Sequence, residues 1–179
     1  SITTLEITGD TTLDGEDYYV IEGHCMCADT IRYIGEDKDR YYIYYDGARH
    51  LLYDFNLVKG DTLKIKAPFS ASQDSIYIRI DSVGKILVSG EELTVQYINC
   101  YLNDPGSTHW ADWGKILIKG IGSDWCLTPQ FSLCEIQTQG LSCVQYEDGR
   151  ILQFDESKVC LYVNTDSRRS NSSSVYPNP

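Results

Sequence analysis

Apolar side chains fall on every second position through long tracts of this chain, and that spacing is the geometry of a strand, where successive side chains point to opposite faces. Ile76, Ile78 and Ile80 share one face while Tyr77, Arg79 and Asp81 take the other. Leu63 and Ile65 alternate with Thr62, Lys64 and Lys66, and Val159, Leu161 and Val163 alternate with Lys158, Cys160 and Tyr162. The doublets Tyr18-Tyr19, Tyr41-Tyr42 and Tyr44-Tyr45 put rings on both faces. A pleated surface accepts that arrangement, whereas a helix loses rotamer freedom to it. No long window keeps apolar residues at helical spacing without a glycine, a proline or a β-branched run interrupting it.

Turn chemistry punctuates these tracts at Asp14-Gly15, Asp46-Gly47, Lys59-Gly60-Asp61, Ser89-Gly90, Asp104-Pro105-Gly106 and Asp148-Gly149. Aspartate-glycine between alternating segments predicts tight hairpins, because both central residues of such a turn need positive φ. The pattern predicts an all-β domain: an antiparallel meander forming a sandwich or a strongly curved sheet, with roughly ten to thirteen short strands and little helix. One domain spans 1–163. Residues 164–175 are polar, bury almost nothing and cannot offset their ordering entropy, so they predict a linker. A seam lies around Asn56 to Gly60, yet neither half alone supports a comfortable core.

Composition narrows the function classes. The chain has 179 residues, 42% of them hydrophobic, enough for one good core. Its 26 acidic against 15 basic residues give a formal charge of −11, which repels phosphate backbones and anionic lipid. Nucleic acid is excluded as a partner on that ground. Apolar runs such as Ile116-Leu117-Ile118 are far shorter than a membrane-spanning helix requires, so no membrane span is expected. Ser1 opens directly into alternating sequence, as expected of a chain already trimmed of a leader.

Seven cysteines favour an oxidising compartment. Cys126, Cys134, Cys143 and Cys160 form a C-terminal set of disulfide candidates whose connectivity spacing alone leaves open. His24-Cys25-Met26-Cys27 offers soft ligands but lacks a second pair at zinc spacing, so no metal ligand is assigned. The three histidines are scattered and no nucleophile elbow accompanies them; no catalytic residue and no cofactor is assigned. The acids Asp14, Glu16 and Asp17, and Glu36, Asp37 and Asp39, have the pattern of solvated hairpin tips. Fourteen tyrosines fit cross-strand packing, with an exposed aromatic face as the alternative. The densest chemistry lies at His109, Trp110, Asp112 and Trp113, with Trp125 near. Exposed indoles beside His and Asp make a stacking surface for a glycan or an aromatic ligand; buried ones close the end of a core.

Several stretches carry a resemblance. Leu52-Tyr53-Asp54-Phe55-Asn56-Leu57 with Gly60-Asp61-Thr62-Leu63, Gly9-Asp10-Thr11-Thr12, Ile80-Asp81-Ser82-Val83, Lys119-Gly120-Ile121-Gly122-Ser123 and Leu141-Ser142-Cys143 occur in the order seen in an uncharacterised group of secreted Bacteroidetes proteins. Tyr176-Pro177-Asn178-Pro179 resembles the opening of a type A C-terminal sorting domain of type IX secretion. The chain departs from the group in placing Leu117-Ile118-Lys119 before Gly120-Ile121-Gly122. The resemblance implies a secreted or outer-surface location and the type IX secretion machinery as a partner, and it brings no catalytic residues. Asp-Thr and Asp-Ser steps such as Asp61-Thr62-Leu63 resemble the acceptor motif for periplasmic O-glycosylation in that phylum. The function expected is a non-enzymatic binding or structural module, with a secreted glycan- or peptide-directed hydrolase, or a carrier of an apolar ligand, as the alternatives. A carrier needs a dry cavity lined by residues such as Ile76, Ile78 and Val95.

Overall fold

The computed structural model describes residues 5–23, 33–66, 75–103, 114–124, 141, 143–146, 148 and 150–154. Twelve antiparallel strands and no helix occur among the described residues. The first sheet is a meander in chain order: β1 (Leu5–Leu13), β2 (Glu16–Gly23), β3 (Tyr33–Asp37), β4 (Arg40–Tyr45) and β5 (Ala48–Asp54). The second is also in chain order: β6 (Thr62–Lys66), β7 (Ser75–Val88), β8 (Glu91–Leu102), β9 (Ile116–Ile118) and β10 (Gly122–Ser123). A small hairpin of β11 (Cys143–Gln145) and β12 (Ile151–Gln153) completes the described fold. One sheet curls strongly into a half barrel, and the all-β sandwich expected from the alternation is what the chain forms.

Turn chemistry set the hairpins. Asp14 and Gly15, Asp46 and Gly47, and Ser89 and Gly90 all have positive φ, the conformation that matches a tight turn to the twist of its strands. Lys38 and Asp39 adopt it too, at φ 48° and 68°, so β3 and β4 are joined by a two-residue turn that holds no glycine. Two strands are not short: β7 and β8 run for 14 and 12 residues and form one long ribbon. The strand expected at Val159, Leu161 and Val163, the linker 164–175 and the segment 176–179 lie outside the described residues.

The ribbon serves two cores. Ile80 pairs with Ile98 and Ser82 with Tyr97, which leaves Asp81 as an extra residue in a β-bulge. Because the face alternation has period two, that one residue sends the even-numbered side chains of β7 to the opposite side. Before the bulge, Ile76, Ile78 and Ile80 pack with Ile43, Leu52, Tyr53, Ile65, Ile98, Cys100 and Leu117 between the two sheets. After it, Ile86 and Val88 join Leu93, Val95, Ile118 and Leu152, under the β11–β12 hairpin. Each such side chain, fully buried, is worth about 1.5–3 kcal/mol. An ion pair from Arg150 to Glu91 and a bond from the Gln153 amide to Ser89 Oγ (3.0 Å) fasten the hairpin there.

The crossover between the sheets is the seam at Asn56 to Gly60, and its polar groups are stitched on three sides. The Asp54 carboxylate, 6% exposed, accepts from Arg40 Nε (2.8 Å), the Asn56 amide (2.9 Å) and Asn56 Nδ2 (3.0 Å). Asn56 Nδ2 also donates to the Lys38 carbonyl, and the Phe55 amide to that of Asp39. From the second sheet, buried Gln96 Nε2 donates to the carbonyls of Asp54 and Leu57, both at 3.0 Å. Asp61 Oδ2 accepts from the Val58 amide, the Gly60 amide donates to the Ile80 carbonyl, and the Ile80 amide donates to the Asp61 carbonyl.

Burial pushes the Asp54 pKa up, but the Asn56 amide, the Arg40 guanidinium and the Asn56 side chain outweigh it and hold it below the usual carboxylate value. A depressed folded pKa contributes stability above the unfolded value of about 4, lost as pH falls through the folded value. Asp54→Asn is therefore expected to cost about 2 kcal/mol near neutral pH. In urea unfolding of both proteins across pH, the difference between them should close below about pH 4.

Candidate functional site

The meander brings one apolar side chain from each of its strands toward the β9–β10 turn. Ile7 pairs with Ile21, Tyr19 with Ile34, and Tyr41 with Tyr53, and paired residues share a face. Ile7, Tyr19, Ile34, Tyr41 and Tyr53 line a groove that Ile121 and Gly122 close from the second sheet. Its floor is aromatic and buried: Tyr53 is 1% exposed, and its ring meets Tyr41 edge-on at 6.2 Å, with Phe55 edge-on to Tyr41 at 5.7 Å. Its mouth is open, since Ile7 is 58% and Tyr19 49% exposed.

Charged side chains stand at the rim. The Tyr41 hydroxyl donates to Glu36 Oε1 at 3.1 Å, and Lys119 pairs with Asp39 at 2.8 Å, joining the β9–β10 and β3–β4 turns. Burial, then the Glu36 charge, pushes the Tyr41 pKa well above its ordinary value, against a smaller opposite effect of the Gly120 amide. Tyr41 thus stays a neutral donor throughout the physiological range. The groove's volume is about 90 Å³. An apolar cavity of about 150 Å³ takes one benzene, so this space accepts a single aliphatic side chain and not a whole small ligand.

The opposite face of the first sheet holds Tyr18, Tyr33, Tyr42 and Tyr44. Tyr18 is 2% exposed and meets Tyr44 edge-on at 5.7 Å, while Tyr33 meets Tyr44 at 6.4 Å. Arg49 lies 3.8 Å over the Tyr42 ring and pairs with Glu16 at 3.0 Å, and the Tyr44 hydroxyl donates to Asp14. Gly35 has no Cβ because one would stand 3.0 Å from the Asp17 carbonyl and 3.1 Å from the Tyr18 ring. These tyrosines pack across strands, as the sequence pattern led us to expect.

His109, Trp110, Asp112, Trp113 and Trp125 lie outside the described residues, as do Cys126, Cys134, Cys160 and the His24-Cys25-Met26-Cys27 run. Cys143 begins β11 and is half-buried. The acids Asp14, Glu16 and Asp17, and Asp37 and Asp39, sit at the β1–β2 and β3–β4 turns as anticipated. Among the described residues no group of three or more His, Cys, Asp or Glu is placed to hold a metal ion. The imagined carrier lining splits up: Ile76 and Ile78 belong to the core between the sheets and Val95 to the one beneath the small hairpin. The groove itself escaped the sequence reading. Its signals were Ile7 in the edge strand β1 and the Gly120-Ile121-Gly122 turn, neither of which reveals a concavity until two sheets meet.

No protein-family model, curated protein or solved structure matches this chain.

Gly122 is the position on which the groove's geometry turns. Its φ is +111°, and an added Cβ would lie 3.1 Å from the Tyr53 hydroxyl. Gly122→Ala should destabilise by about 1–3 kcal/mol through backbone strain and displacement of a buried ring. Thermal unfolding checks the loss, and near-ultraviolet dichroism checks the displaced tyrosine.

Proposed function

We propose that this protein is a secreted or cell-surface, non-enzymatic binding module whose recognition site is the groove of Ile7, Tyr19, Ile34, Tyr41 and Tyr53. One observation carries the reading: a preformed, aromatic-floored seat sized for one side chain, with exposed apolar residues at its mouth. A folded chain exposes a large apolar residue such as Ile7 at some cost in solubility, and an apolar seat with such a mouth is what a protein ligand anchors into. A hydrolase or a carrier engages whole substrates and needs several times that volume. The charge of −11 and the secretion-like tail support delivery to the cell exterior through the type IX machinery. Disulfides across the C-terminal third fit the same destination.

Two measurements test these claims separately. N-acetyl-leucinamide, a mimic of one aliphatic side chain, should shift the methyl resonances of Ile7, Ile34 and Ile121 and leave those of Ile76 and Ile78 unmoved. Tyr19→Ala should weaken that response with little change in melting temperature, and an absence of shifts overturns the groove reading. Protease treatment of intact source cells should release peptides of this chain. Release only after lysis overturns the assignment to the surface.

A further inference from the structure

The groove opens beside a strand edge. β1 stands at the margin of the first sheet and, among the described residues, pairs with β2 alone. Its outer row of backbone N–H and C=O groups is therefore a template for one more strand. Proteins commonly blunt such an edge with lysine, proline or an inward-pointing charge. β6, an edge of the second sheet, carries Lys64 and Lys66; β1 has neither lysine nor proline, and its bulge between Ile7 and Gly9 and the inward Asp10, across from Tyr19, protect only its later part, which leaves the stretch before the bulge, with exposed Ile7 on the inner face, open.

Charge says what the edge would take. Glu6, Asp10, Asp14, Glu16, Asp17 and Glu22 lie on the β1–β2 hairpin, and no Lys or Arg occurs between residues 5 and 23. Arg49 pairs with Glu16, Thr12 donates to Asp17 and Tyr44 to Asp14. Glu6 stands directly across from Glu22, a like-charged cross-strand pair that destabilises the hairpin as it is. A second copy of the chain would place its own Glu6 and Asp10 against this margin and add to the repulsion. A cationic strand would relieve it.

Resting on the reading of the groove as a binding site, we infer that β1 accepts an extended, basic polypeptide segment as an added strand, with Lys or Arg alternating with an apolar residue. The alternation follows from the pleat: Glu6 and Ile7 point to opposite faces, so a partner residue beside Glu6 is cationic and its neighbour beside Ile7 enters the mouth of the groove. Main-chain bonds to β1 supply affinity for any extended chain. The seat and the acids supply the choice among them.

The experiment uses the whole chain and a capped, fluorescein-labelled peptide of alternating lysine and valine, read by anisotropy. The peptide should bind, more weakly as salt rises, with binding reduced at least about tenfold by methylation of alternate backbone nitrogens and abolished when glutamate replaces lysine. Ile7→Lys, which points a charge inward from an exposed position, should reduce binding about tenfold without lowering the melting temperature. Equal binding of the methylated peptide, no binding at all, or a concentration-dependent dimer in sedimentation each overturns the inference. If N-acetyl-leucinamide still shifts Ile7, Ile34 and Ile121 while the peptide does not, strand addition fails and the groove stands; if neither does, both fall.

Discussion

A carboxylate and an amide taken out of water hold the two sheets of this protein to one arrangement. Asp54 gathers the start of the crossover and the β3–β4 turn around its oxygens, and Gln96 reaches from the second sheet to the carbonyls of Asp54 and Leu57. Apolar packing between the sheets is non-directional and tolerates sliding; buried polar groups do not, because each unmade bond costs the full desolvation of the group. The register of one sheet over the other is thus set by a few hydrogen bonds, and the isoleucine core fills in around them. Oε1 of Gln96 is buried without a partner among the described residues, a cost accepted so that both carbonyls meet the Nε2 donors.

The groove follows from that placement. The β3–β4 turn, held by Asn56 and Phe55, meets the β9–β10 turn through Asp39 and Lys119, and the gap between them is roofed by Ile121 and Gly122. Tyr53 sits below, fixed by its neighbours' rings. The seat is therefore built from both sheets, and a change in their register would close or flood it. The edge strand β1 lies at its open end, where exposure of Ile7 and an excess of acids coincide. Recognition by such a site would combine an aliphatic anchor with backbone pairing and charge, each modest alone.

Local chemistry made much of the fold legible. Asp14-Gly15, Asp46-Gly47 and Ser89-Gly90 marked three hairpins because few residues other than Gly, Asn and Asp accept left-handed φ. Lys38-Asp39 took the same conformation with no glycine to announce it. The faces of Ile76, Ile78 and Ile80 were visible in the alternation; that β7 continues past Asp81 to a second core was not, since a bulge in mid-strand has no periodic signature. The groove was hidden for a related reason. Ile7, Tyr19, Ile34, Tyr41, Tyr53 and Ile121 are spread along the chain, and no local pattern joins them.

Sequence alone determined the class of structure, the charge and the positions of the glycine-marked hairpins, because these depend on local dihedral preference and on a two-residue period. Tertiary structure alone decided which face of the β7–β8 ribbon meets which core, where Asp54 and Gln96 are desolvated, and that an aromatic floor opens beside the edge strand β1. Those outcomes depend on contacts between residues far apart in the chain, whose energies exist only once both partners have left water together.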